Sequence, residues 1–348
     1  MKRNAKRVAV GLILIGLLIW TGGATFSFAA DKLVVIRYAD HGAYSKFNVR
    51  TVTAKDFADE VEKRSNGRVK FEFHWAEALC KAKDAPDAVR TGVADASQIT
   101  TVYYPPKFPA FSVVDIGGVF DPYAVTMAVW ELYDTEPMLQ KDLDILNARL
   151  LLVAPLGQTI LTFRKPVNNL KEAKGMLIRA VGSEADFVKG IGGVPVPLPH
   201  PEVFLAIQRG TIDGVVSFPA SAMAYGYYEL TTHWLTGIPG NFGILSIINK
   251  STWNKISQDD QKMMTEVARS YARRHADNTI KNDGEIFEAQ KARGVKVMPL
   301  SDEDAKLWKS QAGPAIASWK KDLAAKGLDG DKILQKYLDL TKKYGAKY

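Results

Sequence analysis

The sequence predicts an α/β protein of two domains, and three observations lead to this prediction. The chain has 348 residues, which at roughly 100–200 residues per domain corresponds to two domains. Strand and helix patterns alternate along the first half, as they do in βαβ units, and favour largely parallel sheets. A helix–glycine–strand pattern around Gly92 recurs around Gly210. The recurrence fits two domains of related construction, and it also fits the frequent use of such junctions in any α/β protein.

The first elements follow in order from hydrophobic periodicity. Leu33–Tyr38 is predicted as a strand, and a helix is expected from about Phe47 to Arg64, where Asn66-Gly67 ends it. Apolar and polar residues alternate over Val69–Trp75, which predicts a strand with one buried face. Further strand and helix signals follow at Ile99, Met127–Tyr133 and Leu150–Ala154.

A long helix is predicted near the C-terminus. Ser257 and Asp260 form a capping pair, and apolar residues recur on one face up to His275. A helix reaching Arg293 would be about 54 Å long and would span two domains. The turn signal Asn282-Asp283-Gly284 instead favours a break there. Two closing surface helices are predicted at Ala305–Leu323 and Gly330–Tyr344.

The N-terminus has the pattern of a secretory signal peptide over residues 1–30, with cleavage near Ala29/Ala30. Four basic residues and no acid precede the apolar run Val8–Trp20, which is shorter than the roughly 20 residues of a membrane span. An uncleaved anchor is the alternative. Loss of the four basic residues reduces the net charge from +8 to +4, and no polybasic stripe remains. Nucleic acid is therefore not an expected partner.

Cysteine usage points to the compartment. Cys80 is the single cysteine, so the mature chain can form no internal disulfide and has no lipid-attachable cysteine at its N-terminus. An exported chain without disulfides suits a bacterial periplasm. Cys80 itself is interpreted as a small buried hydrophobic residue.

Motifs of catalysis and of metal binding do not occur in the sequence. It has no glycine-rich phosphate loop, no G-x-S-x-G, no H-E-x-x-H and no paired Cys or His at metal spacing, and its five His are dispersed. We therefore expect no cofactor, no metal and no enzymatic activity. An exported hydrolase or isomerase would need a nucleophile–base pair or a metal cluster that no spacing suggests. A cleft between two domains is a natural site for a small ligand.

Three stretches of the sequence point to a specific protein family. They are Phe57–Val69, ending in GRV, Arg164–Arg179, with RKPV and KGMLIR, and Gly192–Gly214, which ends in DG. In order and spacing they resemble the solute receptors of tripartite ATP-independent periplasmic (TRAP) transporters of the dicarboxylate-receptor type, the family 7 extracellular solute-binding proteins. The resemblance extends from Leu33 to about Tyr344.

The resemblance implies a two-domain periplasmic-binding-protein-like fold with an inter-domain cleft and a long bridging C-terminal helix, which favours the continuous helix over the break. It places residues 31–155 and 244–283 in domain I, residues 156–243 in domain II, and residues 284–348 in C-terminal helices packed on domain II. It also implies a receptor in the periplasm that binds an organic acid and delivers it to the membrane subunits of a TRAP transporter. A periplasmic ligand sensor on the same fold is the alternative.

Arg179 stands where the family carries the arginine that holds the ligand carboxylate, and a guanidinium offers a donor fork that matches two carboxylate oxygens. Many relatives have a second arginine where this chain has Gln158. Where relatives often continue with Gln-Glu-Asn-Pro, an amide contact is replaced by Phe218, or by Ser217 if the loop has an extra residue. Further expected ligand contacts are Trp75, Tyr103, Thr100, His41 and His200, with Tyr104 and Tyr225 as other aromatic wall positions.

One firm arginine and several aromatic residues favour a monocarboxylate or an aromatic acid as the ligand. A dicarboxylate stays open, because Gln158 and a lysine, Lys81 or Lys83, could serve a second carboxylate. We expect the two domains to close over the ligand by hinge bending.

Overall fold

The computed structural model describes residues 33–346, apart from residues 105, 117, 120, 239, 241 and 242. The predicted signal peptide lies outside the described residues. Among the helices that are described, none is long and apolar enough to cross a membrane.

The described residues form two sheets with helices around them. The first sheet has the strand order β2-β1-β3-β10-β4. Its strands are β1 (Val34–Ala39), β2 (Val69–His74), β3 (Ala96–Thr100), β4 (Ala148–Val153) and β10 (Ile244–Asn249). The second sheet has the order β11-β9-β5-β8-β6-β7. Its strands are β5 (Thr159–Phe163), β6 (Leu177–Arg179), β7 (Val194–Val196), β8 (Gly214–Ser217), β9 (His233–Ile238) and β11 (Lys296–Pro299).

Both sheets are mixed, which corrects the expectation of largely parallel sheets. In the first sheet β1 is parallel to β2 and β3, whereas β10 is antiparallel to β3 and β4. In the second sheet β5 is antiparallel to β8 and β9. The cause is the chain path. After β4 the chain builds β5 to β9 in the second sheet, and it returns to insert β10 between β3 and β4.

The helices of the first half cover the first sheet. They are α1 (Val49–Arg64), α2 (Ala85–Thr91), α3 (Val113–Ile116), α4 (Pro122–Thr135) and α5 (Pro137–Asp144). The next three, α6 (Glu184–Gly190), α7 (His200–Arg209) and α8 (Pro219–Ala224), belong to the second sheet, and α9 (Lys250–Trp253) follows β10. The repeated junction has the expected form, because Gly92 and Gly210 end α2 and α7 with φ of 78° and 74°, and β3 and β8 follow. Glycine is favoured there because left-handed backbone carries a steric penalty for other residues.

The long helix α10 (Gln258–Ala292) is continuous over 35 residues. The Ser257 hydroxyl accepts the Asp260 N–H at 3.1 Å, as predicted. No break occurs at residues 282–284, because the side chains there are held by the rest of the fold. Asn282 donates to the carbonyl of Phe47, and Asp283 accepts the N–H of Gln158. The helix packs on α1 and α4 at one end and on α8 and β11 at the other, so the predicted bridging helix is confirmed.

Three helices close the described chain: α11 (Asp302–Ser310), α12 (Ala312–Ala324) and α13 (Gly330–Lys343). The first of them packs on the second sheet, whereas the last packs on the first sheet. Trp308 of α11 joins the core of the second sheet and stacks on Phe187 at 4.9 Å. Tyr337 of α13 is fully buried in the core of the first sheet, and α13 packs on α4. This arrangement differs from the expectation that residues 284–348 pack on the second domain, because the apolar face of α13 is complementary to α4.

Candidate ligand-binding site

A small cavity lies between loops and helices that belong to the two sheets. Its volume is about 10 Å³, on the order of the space for one water. Its lining residues are His41, Asn48, Arg50, Thr100, Leu156, His200, Ser221, Tyr225 and Ile244. A ligand larger than a water can enter only if this part of the protein rearranges.

The first sheet contributes residues from the carboxyl ends of its parallel strands, where ligands of α/β proteins commonly bind. His41 follows β1, and Thr100 is the last residue of β3. Thr100 is held by the amide of Gln98, which donates to its hydroxyl at 3.0 Å. Burial, together with the nearby charge of Arg50, lowers the pKa of His41 to about 4, so its imidazole is neutral at pH 7.

Arg50 forms a buried ion pair with Asp40. Its Nη1 donates to Asp40 Oδ2 at 2.5 Å, and Asp40 Oδ1 accepts the N–H of Gly42 at 2.7 Å. The two side chains are 7% and 0% exposed. The carboxylate therefore compensates the positive charge of Arg50 within the protein itself.

The second sheet contributes Arg179, the last residue of β6, whose side chain is fully buried. Its Nε donates to the carbonyl of Leu198 at 2.8 Å, and its Nη1 donates to the carbonyl of Val216 at 3.0 Å. Two backbone carbonyls thus fix the guanidinium plane. Neither carries a formal charge, so they orient Arg179 without neutralising it.

Tyr103 connects Arg179 to the wall of the cavity. Its hydroxyl accepts the backbone N–H of His200 at 3.1 Å and lies 3.5 Å from Nη2 of Arg179. Tyr103 precedes α3 on the side of the first sheet, whereas Arg179 and His200 belong to the second. In this conformation the phenol oxygen of Tyr103 faces two hydrogen-bond donors from the second sheet and its helices, Nη2 of Arg179 and the backbone N–H of His200.

Aromatic rings stack along the cavity. Tyr225 lies between His41, at 6.3 Å, and His200, at 5.2 Å, and His200 is parallel to Tyr227 at 6.2 Å. Burial and the charge of Arg179 hold the pKa of His200 well below its usual range, and burial raises the pKa of Tyr225. Among the described residues, the two ring nitrogens of His200 and the hydroxyl oxygen of Tyr225 have no hydrogen-bond partner. Buried polar atoms are normally paired, so these groups are available to a ligand.

Three of the expected contact residues line the cavity, namely His41, Thr100 and His200. Tyr103 and Arg179 do not line it but lie beside it, because the Tyr103 hydroxyl contacts both Arg179 and the backbone of His200. Tyr225, expected as an aromatic wall position, lines the cavity as well. Tyr104 instead packs in the core of the first sheet, 6.0 Å from Phe108. The lysines Lys81 and Lys83 line a separate groove, where Lys83 pairs with Glu202 at 3.6 Å.

The other four expected contact residues have different partners. The Gln158 side chain accepts the N–H of Gly237 at 2.9 Å. Phe218 is fully buried in an apolar cluster beneath the cavity, and the Ser217 hydroxyl is bonded to that of Tyr227. Trp75 stacks on Phe73 at 4.5 Å. None of these four is among the residues that line the cavity.

Arg50, Asn48 and Ser221 line the cavity but were not expected from the sequence. A signal for Arg50 does exist. It lies in the first turn of α1, and that turn contains no acidic residue. Basic residues are disfavoured at the positive end of a helix dipole, so a buried arginine there needs a specific partner or function. Among the described residues, no group of three His, Cys, Asp or Glu side chains is placed to hold a metal ion.

Two mixed sheets around a buried polar site, crossed by one long helix, define a binding protein of the two-lobed receptor class. Residues 42–322 match the family model of bacterial extracellular solute-binding proteins, family 7, and the chain belongs to this family.

Among proteins similar to this chain is a solute-binding protein of Albidiferax ferrireducens. It is 26% identical over 300 residues, which cover 84% of this chain and 87% of the relative. A TRAP solute-binding protein from a marine metagenome, solved with 3-hydroxybenzoate, has a TM-score of 0.82 and 23% identity, covering 90% of this chain and 99% of its own. A TRAP solute-binding protein of Rhodoferax ferrireducens, solved with copurified benzoate, has a TM-score of 0.81 and 21% identity, covering 89% and 98%. The two structures share the fold of this chain.

Proposed function

We propose that this protein is an extracytoplasmic receptor that holds an organic acid by a carboxylate bound to Arg179 and delivers it to a TRAP-type membrane transporter. The proposal rests on one observation, the buried and uncompensated charge of Arg179. Its guanidinium is fully buried, is oriented by the carbonyls of Leu198 and Val216, and has no carboxylate within hydrogen-bond distance among the described residues. A buried charge without a bonded counter-ion is costly, and a ligand carboxylate would remove that cost.

The position of Tyr103 indicates how the carboxylate binds. The phenol oxygen faces Nη2 of Arg179 and the backbone N–H of His200. A carboxylate oxygen placed there would accept from the same two donors, with shorter charge-assisted bonds. The ligand thus displaces the Tyr103 hydroxyl from Arg179.

Entry of the ligand requires opening, because the cavity has room for about one water. We propose that two domains, residues 31–155 with 244–283 and residues 156–243, separate and close by hinge bending. Closure would exclude water from the ion pair at Arg179 and strengthen it. The proposal includes export to the periplasm, cleavage near Ala29/Ala30, and binding of the ligand without chemical change.

Aromatic monocarboxylates are the first acids to test. Two structures with this fold hold benzoate and 3-hydroxybenzoate. In this chain the parallel rings of His41, Tyr225 and His200 offer flat apolar faces, and the neutral polar atoms of Tyr225 and His200 offer partners for a ligand hydroxyl.

The test is a thermal-shift and calorimetry panel of benzoate, 3-hydroxybenzoate, mandelate, pyroglutamate and succinate. A ligand that binds only the folded state raises the melting temperature. Arg179→Ala should weaken the binding of the best acid by about 100-fold or more, as truncation of a buried charge pair does. Arg164→Ala, which removes the same charge just after β5 and outside the cavity, is the matched control and should bind as the wild type does. If none of these acids shifts the melting temperature, whether or not sugars or cations tested beside them do, the proposal is overturned.

A further inference from the structure

Glu184 is a buried acid that the proposed binding step does not use. It begins α6, five residues after Arg179, and only 5% of its surface is exposed. Neither of its carboxyl oxygens completes a hydrogen bond within the described part of the chain. Its Oε2 lies 3.9 Å from Nη1 of Arg179, which is beyond hydrogen-bond distance but within strong electrostatic reach in a buried environment.

The charged groups around Glu184 come from three directions. Arg179 of β6 attracts its ionised form, and Asp115 of α3 repels it. The segments that carry the two acids are held together by Ser183, next to Glu184, whose hydroxyl donates to the backbone carbonyl of Asp115 at 2.8 Å. On α6 itself, Asp186 pairs with Lys189 at 3.2 Å. The nearby cavity between α6 and α12 is lined by Asp115, Asp186 and Asp322. Glu184 also acts electrostatically on the hydroxyls of Tyr103 and Tyr227, whose pKa values are raised chiefly by burial.

Burial dominates this balance. It raises the pKa of Glu184 to about 8, with Arg179 and the nearby backbone N–H of Val181 opposing the rise and Asp115 adding to it. Burial also raises the pKa of Asp115 to about 7. The pKa of Glu184 is therefore close enough to neutral pH that a change in the charge of a neighbouring group can change its protonation.

We propose that Glu184, when it is ionised, is an internal counter-ion of Arg179 and takes up a proton as the ligand carboxylate binds. The inference rests on the proposed function, because it requires a carboxylate at Arg179. Two carboxylates beside one guanidinium repel each other, and in such a site one of them holds a proton. The ligand arrives as an anion, the proton comes from solvent, and the complex contains one carboxylate, one guanidinium and one neutral Glu184.

The affinity then depends on pH with a definite sign. Below about pH 8 Glu184 already carries its proton in the free protein, and the ligand meets an uncompensated Arg179. Above that pH the ligand must bind together with a proton, so the dissociation constant should rise up to about tenfold per pH unit. Glu184 would thereby determine the pH range in which the receptor holds its cargo.

The experiment is calorimetry from pH 6.5 to 9.5 with the panel acid that raises the melting temperature most. Each titration is repeated in two buffers that both buffer at the chosen pH but differ in ionisation enthalpy, PIPES and imidazole at the acidic end and borate and CHES at pH 9, and the difference in heat reports the protons taken up. The expected result for the wild type is at least half a proton per ligand at pH 9 and none at pH 6.5. Glu184→Gln should abolish the uptake and flatten the pH profile, whereas Asp186→Asn on the same helix should behave as the wild type does.

Two outcomes would overturn the inference and leave the proposed function intact. One is an acid that needs Arg179 but binds without proton uptake at pH 9 in the wild type. The other is full uptake retained by Glu184→Gln, which would assign the proton to Asp115 instead. The first measurement uses the wild type alone, so it is decisive even if the variant does not fold. If no panel acid binds, the proposed function itself fails.

Discussion

The ion pair between Asp40 and Arg50 offers a sharp test of how the cavity is built. Asp40→Asn keeps the size of the side chain and an oxygen that can accept the N–H of Gly42, but it removes the charge opposite Arg50. The amide would also turn an NH₂ group toward the guanidinium or leave it unbonded. Because both side chains are almost fully buried, water cannot replace the lost carboxylate.

The size of the effect follows from this burial. Removal of one partner of a buried ion pair costs about 3–5 kcal/mol. The entropy of unfolding is about 2.1 cal/mol/K per residue, or roughly 0.65 kcal/mol/K for a mature chain of this length. The melting temperature should therefore fall by about 5–8 °C.

The assay is urea denaturation followed by tryptophan fluorescence, together with thermal melts at pH 7. Asp59→Asn is the matched control, because Asp59 pairs with Lys55 on the same helix but its side chain is 58% exposed. The control should change the free energy of unfolding by less than about 0.5 kcal/mol. If the free energy of unfolding of Asp40→Asn lies within 1 kcal/mol of that of Asp59→Asn, the reasoning about the buried pair is refuted.

Two further predictions concern two glycines near or in the long helix and three buried carboxyl groups. Gly157→Ala should destabilise the protein by several kcal/mol, because the added Cβ would overlap the buried carboxyl group of Asp283, whereas Gly284→Ala, in open space within the helix, should stabilise it by up to about 1 kcal/mol. Urea melts of both variants check this pair, and equal effects would contradict it. Burial raises the pKa of Asp115, Asp142 and Asp283 to about 7 from an unfolded value near 3.9. Each of these carboxyls holds a proton in the native state between pH 4 and 7, so each lowers the free energy of unfolding as the pH rises, whereas His41 and His275, whose pKa burial lowers to about 4, act in the opposite direction. The free energy of unfolding of the wild type relative to that of Asp283→Asn should therefore fall between pH 5 and pH 8. An equal change with pH in the two proteins, measured by urea melts, would contradict this prediction.

The sequence predicts the order of elements well and the direction of the strands less well. Periodicity locates α1, β2 and the start of α10 within a few residues, because each buries one regular face. It does not show that β10 runs antiparallel between β3 and β4. A short apolar strand such as Ile244–Asn249 has the same pattern in either direction. Its partners are fixed only when the chain returns from the second sheet.

Some residues of the site are likewise indicated by the sequence, whereas the positions of others depend on the tertiary fold. Arg179 is selected by the KGMLIR motif, which resembles that of the family, and the structure places it fully buried at the end of β6, while its contact with a ligand stays a prediction. Gln158 does not line the cavity, because its side-chain oxygen accepts the N–H of Gly237. It lies next to a register shift in the pairing of β5 with β9, between Thr159 and Leu161. No local pattern encodes such an irregularity. Arg50 carries a local signal, its place in the first helical turn, but its pairing with Asp40 arises only from the tertiary fold.

The two arginines near the cavity differ in how their charge is compensated, and the binding role proposed for Arg179 rests on this difference. Arg50 has a bonded carboxylate in Asp40, whereas Arg179 is held by neutral carbonyls and faces Glu184 only at 3.9 Å. The net positive charge available to a ligand is therefore about one. A second ligand carboxylate placed near Arg50 would have to approach Asp40, and like charges in a buried site are strongly disfavoured. The charge balance thus favours a monocarboxylate over a dicarboxylate, for a reason that lies in the neighbours of the arginines rather than in their number.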